Sequence, residues 1–340
     1  MTRAAIWLLS AGVLLFIGVL VSQGLPAVLT TLSVAGWGLL WVALFHLLPL
    51  LLDAEAIRVL LDRSSGAHPQ RTAVLTRWAG ESAVCLTPAG QIGGPVLMAR
   101  HLSQGGVPMA QAAAAITVAI TMQTLAQILF ALLGVVLLGT QATQLAQPAV
   151  RMALMIACAV LGLTTVTFYF VQRRGLFGGV MRWAGRFSGN RDWSGLMSQA
   201  AAIDAAVGEV YRRRRRVGWC FVLSLIGWLV GTGEVYLILV LLNSPVSWRD
   251  ALLLESLGQA IRGAGFAIPG SLGVQEGGYL LLAPLAGLTP SAALALSLAK
   301  RARELLLGLP GLLYLHLSER SWRRRQAAQT RAGYAESELD

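Results

Sequence analysis

Ionisable side chains interrupt the apolar stretches of this chain at a few places, and their spacing limits what they could do. Glu255, Gln259 and Arg262 stand at i, i+4 and i+7 and therefore share one helix face. Lys300, Arg301, Arg303 and Glu304 crowd the middle of the last apolar run, where Lys300 and Glu304 are spaced to pair at i, i+4. Glu81 precedes a Pro/Gly-rich stretch that Gln91, Arg100 and His101 follow, and Glu276 lies in a second such stretch. Groups of this kind can hold a phosphate or hydroxylated headgroup, orient it, or carry a proton. Inside a bilayer each costs about 2.5–3.5 kcal/mol, so each needs a partner or a wet cavity. Two readings follow: the groups line a polar cavity, or they pair with one another and lock the segments that bear them. The candidate binding residues are Gln91, Arg100, Glu255, Gln259, Arg262, Glu276 and Lys300. Among these Arg100, Arg262 and Lys300 would meet an anion. Glu255, Glu276 and Gln259 would orient it or carry a coupling proton. Glu234, within another apolar run, is either a lone carboxylate or a partner of Arg262.

Enzyme signatures are scarce. No phosphate-binding loop, no dinucleotide fingerprint and no nucleophile elbow occurs. Ser297 to Lys300 matches S-x-x-K, but its companion elements are missing and the match lies in an apolar run, so we assign it no role. Cys85, Cys158 and Cys220 are scattered, as are His46, His68, His101 and His316, and neither a disulfide framework nor a metal site is expected. No cofactor is expected either.

The elements that would position these residues follow from composition. Of the 340 residues, 56% are apolar and 13% charged, with a mean hydropathy of +0.65. Soluble domains run about 45–50% apolar and about 25% charged. The expected fold is therefore all-α and polytopic, each crossing taking roughly 20 residues. Six runs are long enough: 4–22, 30–52, 111–139, 149–171, 217–242 and 289–316. The first is read as an uncleaved span, because its apolar stretch exceeds that of a secretory signal. The net charge of +11 comes almost wholly from arginine, with Lys300 the single lysine. These arginines lie between apolar runs, which points to anionic lipid and away from nucleic acid. Residues 172–216 hold ten arginines, 53–77 hold Arg58, Arg63, Arg71 and Arg77, and 22–29 and 140–148 hold no charge. Arginine is retained inside, so both termini, 53–77 and 172–216 are expected to be cytoplasmic.

Two intervals do not fit as plain spans. Each holds an apolar helix, a break and a second short helix. The first break centres on Pro88, Gly93 and Gly94, and the second on Pro269, Gly270, Gly273 and Gly277. Broken backbone survives at membrane depth only where protein or water satisfies it. Each interval is therefore expected to be a re-entrant hairpin, one opening from each side. The order 30–52, hairpin, 111–139 then matches 217–242, hairpin, 289–316 in opposite orientation, which is an inverted repeat. The predicted organisation is a membrane domain over 1–320 containing a basic linker at 172–216, then a polar tail at 321–340 that frays after Arg325. Apolar spacing over 177–187 suggests a short headgroup-plane helix within the linker, with a solvated loop as the alternative.

The stretch Thr87-Pro88-Ala89-Gly90-Gln91-Ile92-Gly93-Gly94 through Arg100, then Gly106-Val107-Pro108, together with Ile268 to Gly277, resembles the flippase-like integral membrane family. That family includes the transmembrane region of bacterial lysylphosphatidylglycerol synthases. The likeness is greatest to its hopanoid-associated HpnL-type members and runs over about residues 1–320. The resemblance implies a multi-pass protein of the bacterial inner membrane that moves a lipid or its headgroup between leaflets, with a link to hopanoid metabolism. Its implied partners are a hopanoid or phospholipid-like substrate, anionic lipids at the basic loops, and enzymes of the hopanoid pathway. Lipid-aminoacylating members carry a large soluble domain after the membrane part. The tail here is short, so that activity is not expected. Relatives commonly have an acid after the paired glycines of the first motif. Here that position is Pro95, which shifts weight to Glu255 and Glu276. Two further readings are a membrane-embedded transferase using Glu276 or Glu81 as base, and a non-catalytic partner of hopanoid enzymes acting through the basic face of 172–216.

Overall fold

The computed structural model describes residues 36–61, 69–87, 90–141, 194–265 and 268–337, with Ser33 and scattered residues between 152 and 179. The expected first span over 4–22 lies outside the described residues, as do Pro88, Cys158, about half of 149–171 and most of 177–187. Every regular element among the described residues is helical. In chain order these are α1 (Gly38–Leu60), α2 (Pro69–Leu86), α3 (Gly90–Gln104), α4 (Met109–Gln141), α5 (Ser194–Arg212), α6 (Arg214–Leu241) and α7 (Trp248–Ala264). A 3-10 turn at Pro269–Ser271, α8 (Val274–Leu282), a second 3-10 turn at Ala283–Ala286 and α9 (Pro290–Ser337) complete the series.

α1, α4 and α6 are long and apolar enough to cross a membrane. α9 has the length, but the charges from Lys300 to Glu304 interrupt its apolar run. Leu40, Trp41, Leu44, Leu48 and Leu51 of α1 are exposed, as are Leu305, Leu309, Leu313 and Leu317 of α9. Recurrence every three or four residues makes each set one outward stripe. The interior is the inverse, since Glu234, Glu255, Glu276, Lys300, Arg303 and Glu304 are all buried. Apolar faces outward and charges inward are the pattern of a protein whose solvent is lipid.

The first repeat differs from expectation in register. α1 was expected over 30–52, ending at Asp53; it starts at Gly38 and continues through Pro49 to Leu60. Residues 53–60 and 69–77, expected in a cytoplasmic connection, are helical. Asp53 had marked an end because it is charged, but it accepts a hydrogen bond from Gln123 Nε2 at 2.7 Å and lies inside the bundle. In the linker, residues 194–212 form α5, which packs on α4 and buries Val207, so this part is not a solvated loop. α9 stays helical to Ser337, through the stretch expected to fray.

Packing is reciprocal between the two halves. α1 lies along α6, α4 on α7 as α9 lies on α2, and α4 on α6 as α9 lies on α1. α3 meets α4 as α8 meets α9. These pairings exchange α1 with α6, α2 with α7, α3 with α8 and α4 with α9, as a two-fold relation between repeats requires. Two larger apolar cores form among the described residues. One gathers Val42, Leu138, Ile238, Leu254, Leu282 and Leu296, the other Ile57, Leu60, Leu102, Ile116, Val118 and Cys220. Along α1, His46 and Asp53 fall between the two.

The breaks are shorter than expected. α2 ends at Leu86 and α3 begins at Gly90, so Gly93 and Gly94, expected in the first break, stand inside α3 with Pro95. A proline this near a helix start forfeits a single i→i−4 bond, which α3 tolerates. The glycines that matter here permit close approach. A Cβ at Gly90 would lie 2.1 Å from the Ala83 carbonyl oxygen, and one at Gly94 would lie 2.5 Å from Val84 Cγ2. In the second break Gly270 and Gly273 take φ of +62° and +78°, the left-handed region open to glycine. Pro269 opens the 3-10 turn, and Gly277, expected in the break, lies within α8. The two tips touch, since a Cβ at Gly270 would stand 3.3 Å from the Cys85 carbonyl oxygen.

This geometry separates two neighbouring glycines. Gly90→Ala drives a methyl into backbone and is expected to cost about 1–3 kcal/mol or more. Gly93→Ala, with nothing within 4 Å of its Cβ position, is expected to be neutral or to stabilise by up to about 1 kcal/mol. Thermal unfolding of both variants in the same detergent checks the difference.

Candidate functional site

Where the hairpin tips meet, ion pairs from six helices form one layer. It has three groups. In the first, α8 begins at Gly273, whose N–H donates to Glu276 Oε2 at 2.7 Å, so Glu276 caps its own helix. Its other oxygen, Oε1, accepts from Ser297 Oγ at 3.1 Å and meets Arg301 Nε at 3.2 Å. Arg301 Nη1 reaches Glu304 Oε2 at 2.9 Å, and Arg262 Nη1 reaches Glu304 Oε1 at the same distance. Arg301 Nη2 donates to the Ser271 carbonyl at 3.2 Å, satisfying backbone that the break leaves free. Gln275 joins Arg262 to Ser297 at 3.2 and 2.9 Å.

In the second group Lys300 Nζ donates to Glu255 Oε2 at 2.5 Å and to Tyr279 Oη at 3.1 Å. Gln259 Nε2 donates to Glu255 Oε1 at 2.9 Å. Lys300 and Glu255 are both almost wholly buried. The third group runs along α1, α2, α6 and α9. Asp53 meets Arg77 at 2.7 Å, and Arg77 meets Glu81 at 3.6 Å. Glu81 Oε1 meets His46 Nε2 at 2.8 Å, and His46 Nδ1 meets Glu234 Oε2 at 2.7 Å. Arg303 Nε lies 3.2 Å from Glu234 Oε1.

Two clefts reach this layer. One is lined by Leu50, Trp78, Glu81, Cys85, Arg303 and Glu304. The other is lined by Asp53, Arg77, Met98, Gln123 and Ser224. Each has room for about one water molecule. Neither of these two clefts admits anything the size of a headgroup. Among the described residues no cluster of His, Cys, Asp and Glu is arranged to hold a metal ion.

The family description "Lysylphosphatidylglycerol synthase TM region" matches residues 6–311. The chain belongs to this family. No curated protein and no solved structure matches it. Membership makes this a membrane protein with a lipid-related function.

In this family member the structure gathers Glu255, Gln259, Arg262, Glu276 and Lys300 into the layer, but it leaves Gln91 exposed on α3. Arg100 is also elsewhere, paired with Glu319 at 2.8 Å and stacked 5.1 Å over the Trp322 ring. Lys300 does not pair with Glu304. It turns to Glu255, while Glu304 takes Arg262 and Arg301. Glu234 pairs with His46 and Arg303, not with Arg262. His46, Asp53 and Arg77 belong to the layer and were not candidates. The rule that an ionisable group inside an apolar run needs a partner would have flagged His46.

Breaking one buried pair strands a charge, at a cost of about 3–5 kcal/mol, whereas replacing both partners by apolar groups is often neutral. Lys300→Met is accordingly expected to destabilise the protein strongly, and Lys300→Met with Glu255→Met to recover most of the loss. Unfolding curves of the single and double variants in nanodiscs test this.

Proposed function

We propose that this chain moves a lipid between the leaflets of the bacterial inner membrane, that the lipid belongs to hopanoid metabolism or transport, and that the chain is a translocator and not an enzyme. The observation that supports this reading is the ion-paired layer buried where two hairpin tips meet, within a bundle whose outer faces are apolar. A protein that needed only to sit in lipid would be as stable with that layer filled by apolar side chains. Charges kept at such a position are functional by default. Reciprocal repeats meeting at broken helices are the common build of secondary transporters, in which the two halves rock about a central site. The ion-paired layer then corresponds to one resting state. Opening requires the pairs to exchange partners with a headgroup that itself bears charge or hydroxyls. Arg262 and Lys300 would meet its anionic part and Glu255 its donors. Both termini lie on the cytoplasmic side in this reading, where the basic loops rest on anionic lipid and hopanoid enzymes could dock.

Reconstituted into phosphatidylglycerol vesicles, the protein is expected to exchange a fluorescent headgroup-labelled phosphatidylglycerol between leaflets several-fold faster than empty vesicles do. Lys300→Met with Glu255→Met, which keeps the fold but removes the charges, is expected to lose that activity. Deletion of the gene is expected to shift hopanoid between membrane fractions. Absence of excess exchange across several candidate lipids overturns the reading. A mass-altered lipid product lost in Glu276→Gln would make the protein a transferase. Loss of function on removing the arginines of 172–216, with Glu255→Gln harmless, would make it a docking partner.

A further inference from the structure

The three groups of charges differ in one respect. Glu276 and Glu304 face Arg262 and Arg301, and Glu255 faces Lys300, so two groups are neutral with fixed charges alone. The third holds three carboxylates, Asp53, Glu81 and Glu234, against two guanidiniums, Arg77 and Arg303. It is neutral only when His46 carries a proton on both ring nitrogens. Each ring nitrogen also faces a carboxylate. Nδ1 stands 2.7 Å from Glu234 Oε2 and Nε2 stands 2.8 Å from Glu81 Oε1. A neutral ring has one N–H, and would set a lone pair against one of the two carboxylates.

The structure also holds the partner that His46 would need after losing the proton. Arg303 Nη1 lies 3.0 Å from the same Nε2. With the proton in place Nε2–H donates to Glu81. Without it the Nε2 lone pair accepts from Arg303, and Nδ1–H still donates to Glu234. We propose that His46 is a proton-binding site that couples this protein's transport cycle to the proton gradient, loosening α2 from α1 when the proton leaves. This deepens the translocation reading and rests on it. The proton passes from Nε2 to a carboxylate oxygen of Glu81 and then to water in the cleft that Glu81 and Arg303 line, leaving a neutral imidazole. The group, once neutral, then carries one net negative charge, and Glu81 has lost its α1 partner. The charged groups around the ring are Glu81 and Arg77 from α2, Glu234 from α6, Arg303 with the Glu255-bound Lys300 from α9, and Asp53 two turns along α1. α4 contributes Gln123, which is uncharged. Of these groups only the imidazole ordinarily changes charge near neutral pH.

Two measurements test the site. Nitrogen-15 spectra of histidine-labelled protein in nanodiscs, with the His46 signals assigned by their loss in His46→Gln, are expected to show both ring nitrogens protonated at neutral pH in the wild type. One is expected to be deprotonated in Glu81→Gln. A neutral His46 in the wild type overturns the proposal whether or not transport occurs. In vesicles of phosphatidylglycerol with an internal pH dye, exchange of the labelled phosphatidylglycerol is expected to rise several-fold under a pH gradient. That response is expected to vanish in His46→Gln and in His46→Lys, which keeps a fixed charge and so preserves the ion pairs. Wild-type exchange that ignores the gradient overturns coupling while leaving translocation intact. No exchange at all removes the translocation reading, and with it the coupling, while the nitrogen spectra still decide whether His46 is the protonated site.

Discussion

A charge taken out of water must find an opposite charge, and in a low-dielectric interior the penalty for failing is several kcal/mol per ion. One turn of α9 answers this requirement for most of the molecule. Lys300, Arg301 and Arg303 reach Glu255 on α7, Glu276 on α8 and Glu234 on α6. Glu304 on the same turn takes Arg262. The remaining elements are arranged around that turn, and their apolar faces are left free to meet lipid. The charges thus fix the relative heights of four helices, which apolar packing alone would let slide.

The broken helices follow from the same constraint. A helix end leaves N–H and C=O groups without partners, and lipid offers none. At the second break the layer supplies them from its own side chains. Glu276 takes the Gly273 N–H and Arg301 takes the Ser271 carbonyl. Removing the charges would therefore also strand backbone groups. The first break needs less, because Thr87 Oγ1 donates to the Ala83 carbonyl at 2.7 Å and the Gly90 N–H returns to the Thr87 carbonyl at 3.0 Å. Its shorter gap and its glycine-mediated contact between α2 and α3 are two sides of one solution.

Much of this was legible in the sequence, and the rest failed for identifiable reasons. Composition gave the fold class. The Pro/Gly stretches located both hairpins, and the i, i+4, i+7 spacing put Glu255, Gln259 and Arg262 on one face. Spacing along one helix could not choose partners between helices. It offered Lys300 to Glu304 when the nearer carboxylate in space was Glu255. It also assumed that charge ends a span, and so cut α1 at Asp53 and left Arg77 in a loop. Glycine was read as a breaker at Gly93, Gly94 and Gly277, all of which are helical. Whether a glycine breaks a helix or admits a neighbour depends on what packs against it, and no local pattern contains that. Arg100 looked equivalent to Arg262 in sequence, but its helix carries it to Glu319.

The balance within each group makes the two hairpins mechanically unequal. The α7–α8 hairpin is bound to α9 through Lys300, which pairs with Glu255, and through arginines, which keep their charge at any physiological pH. It is also stitched by Tyr279, Gln275 and Ser297, so moving it would strand several buried groups at once. The α2–α3 hairpin is held to α1 through Arg77 and Glu81, and the partner of Glu81 is an imidazole with an alternative donor already alongside. One proton changes the strength of that attachment without leaving Nε2 unpaired. If the halves move relative to one another, the less costly motion is of α2 and α3 against a fixed wall made by α7, α8 and α9. The asymmetry lies in which side chains the two repeats carry at corresponding places, since the backbone pairing itself is reciprocal.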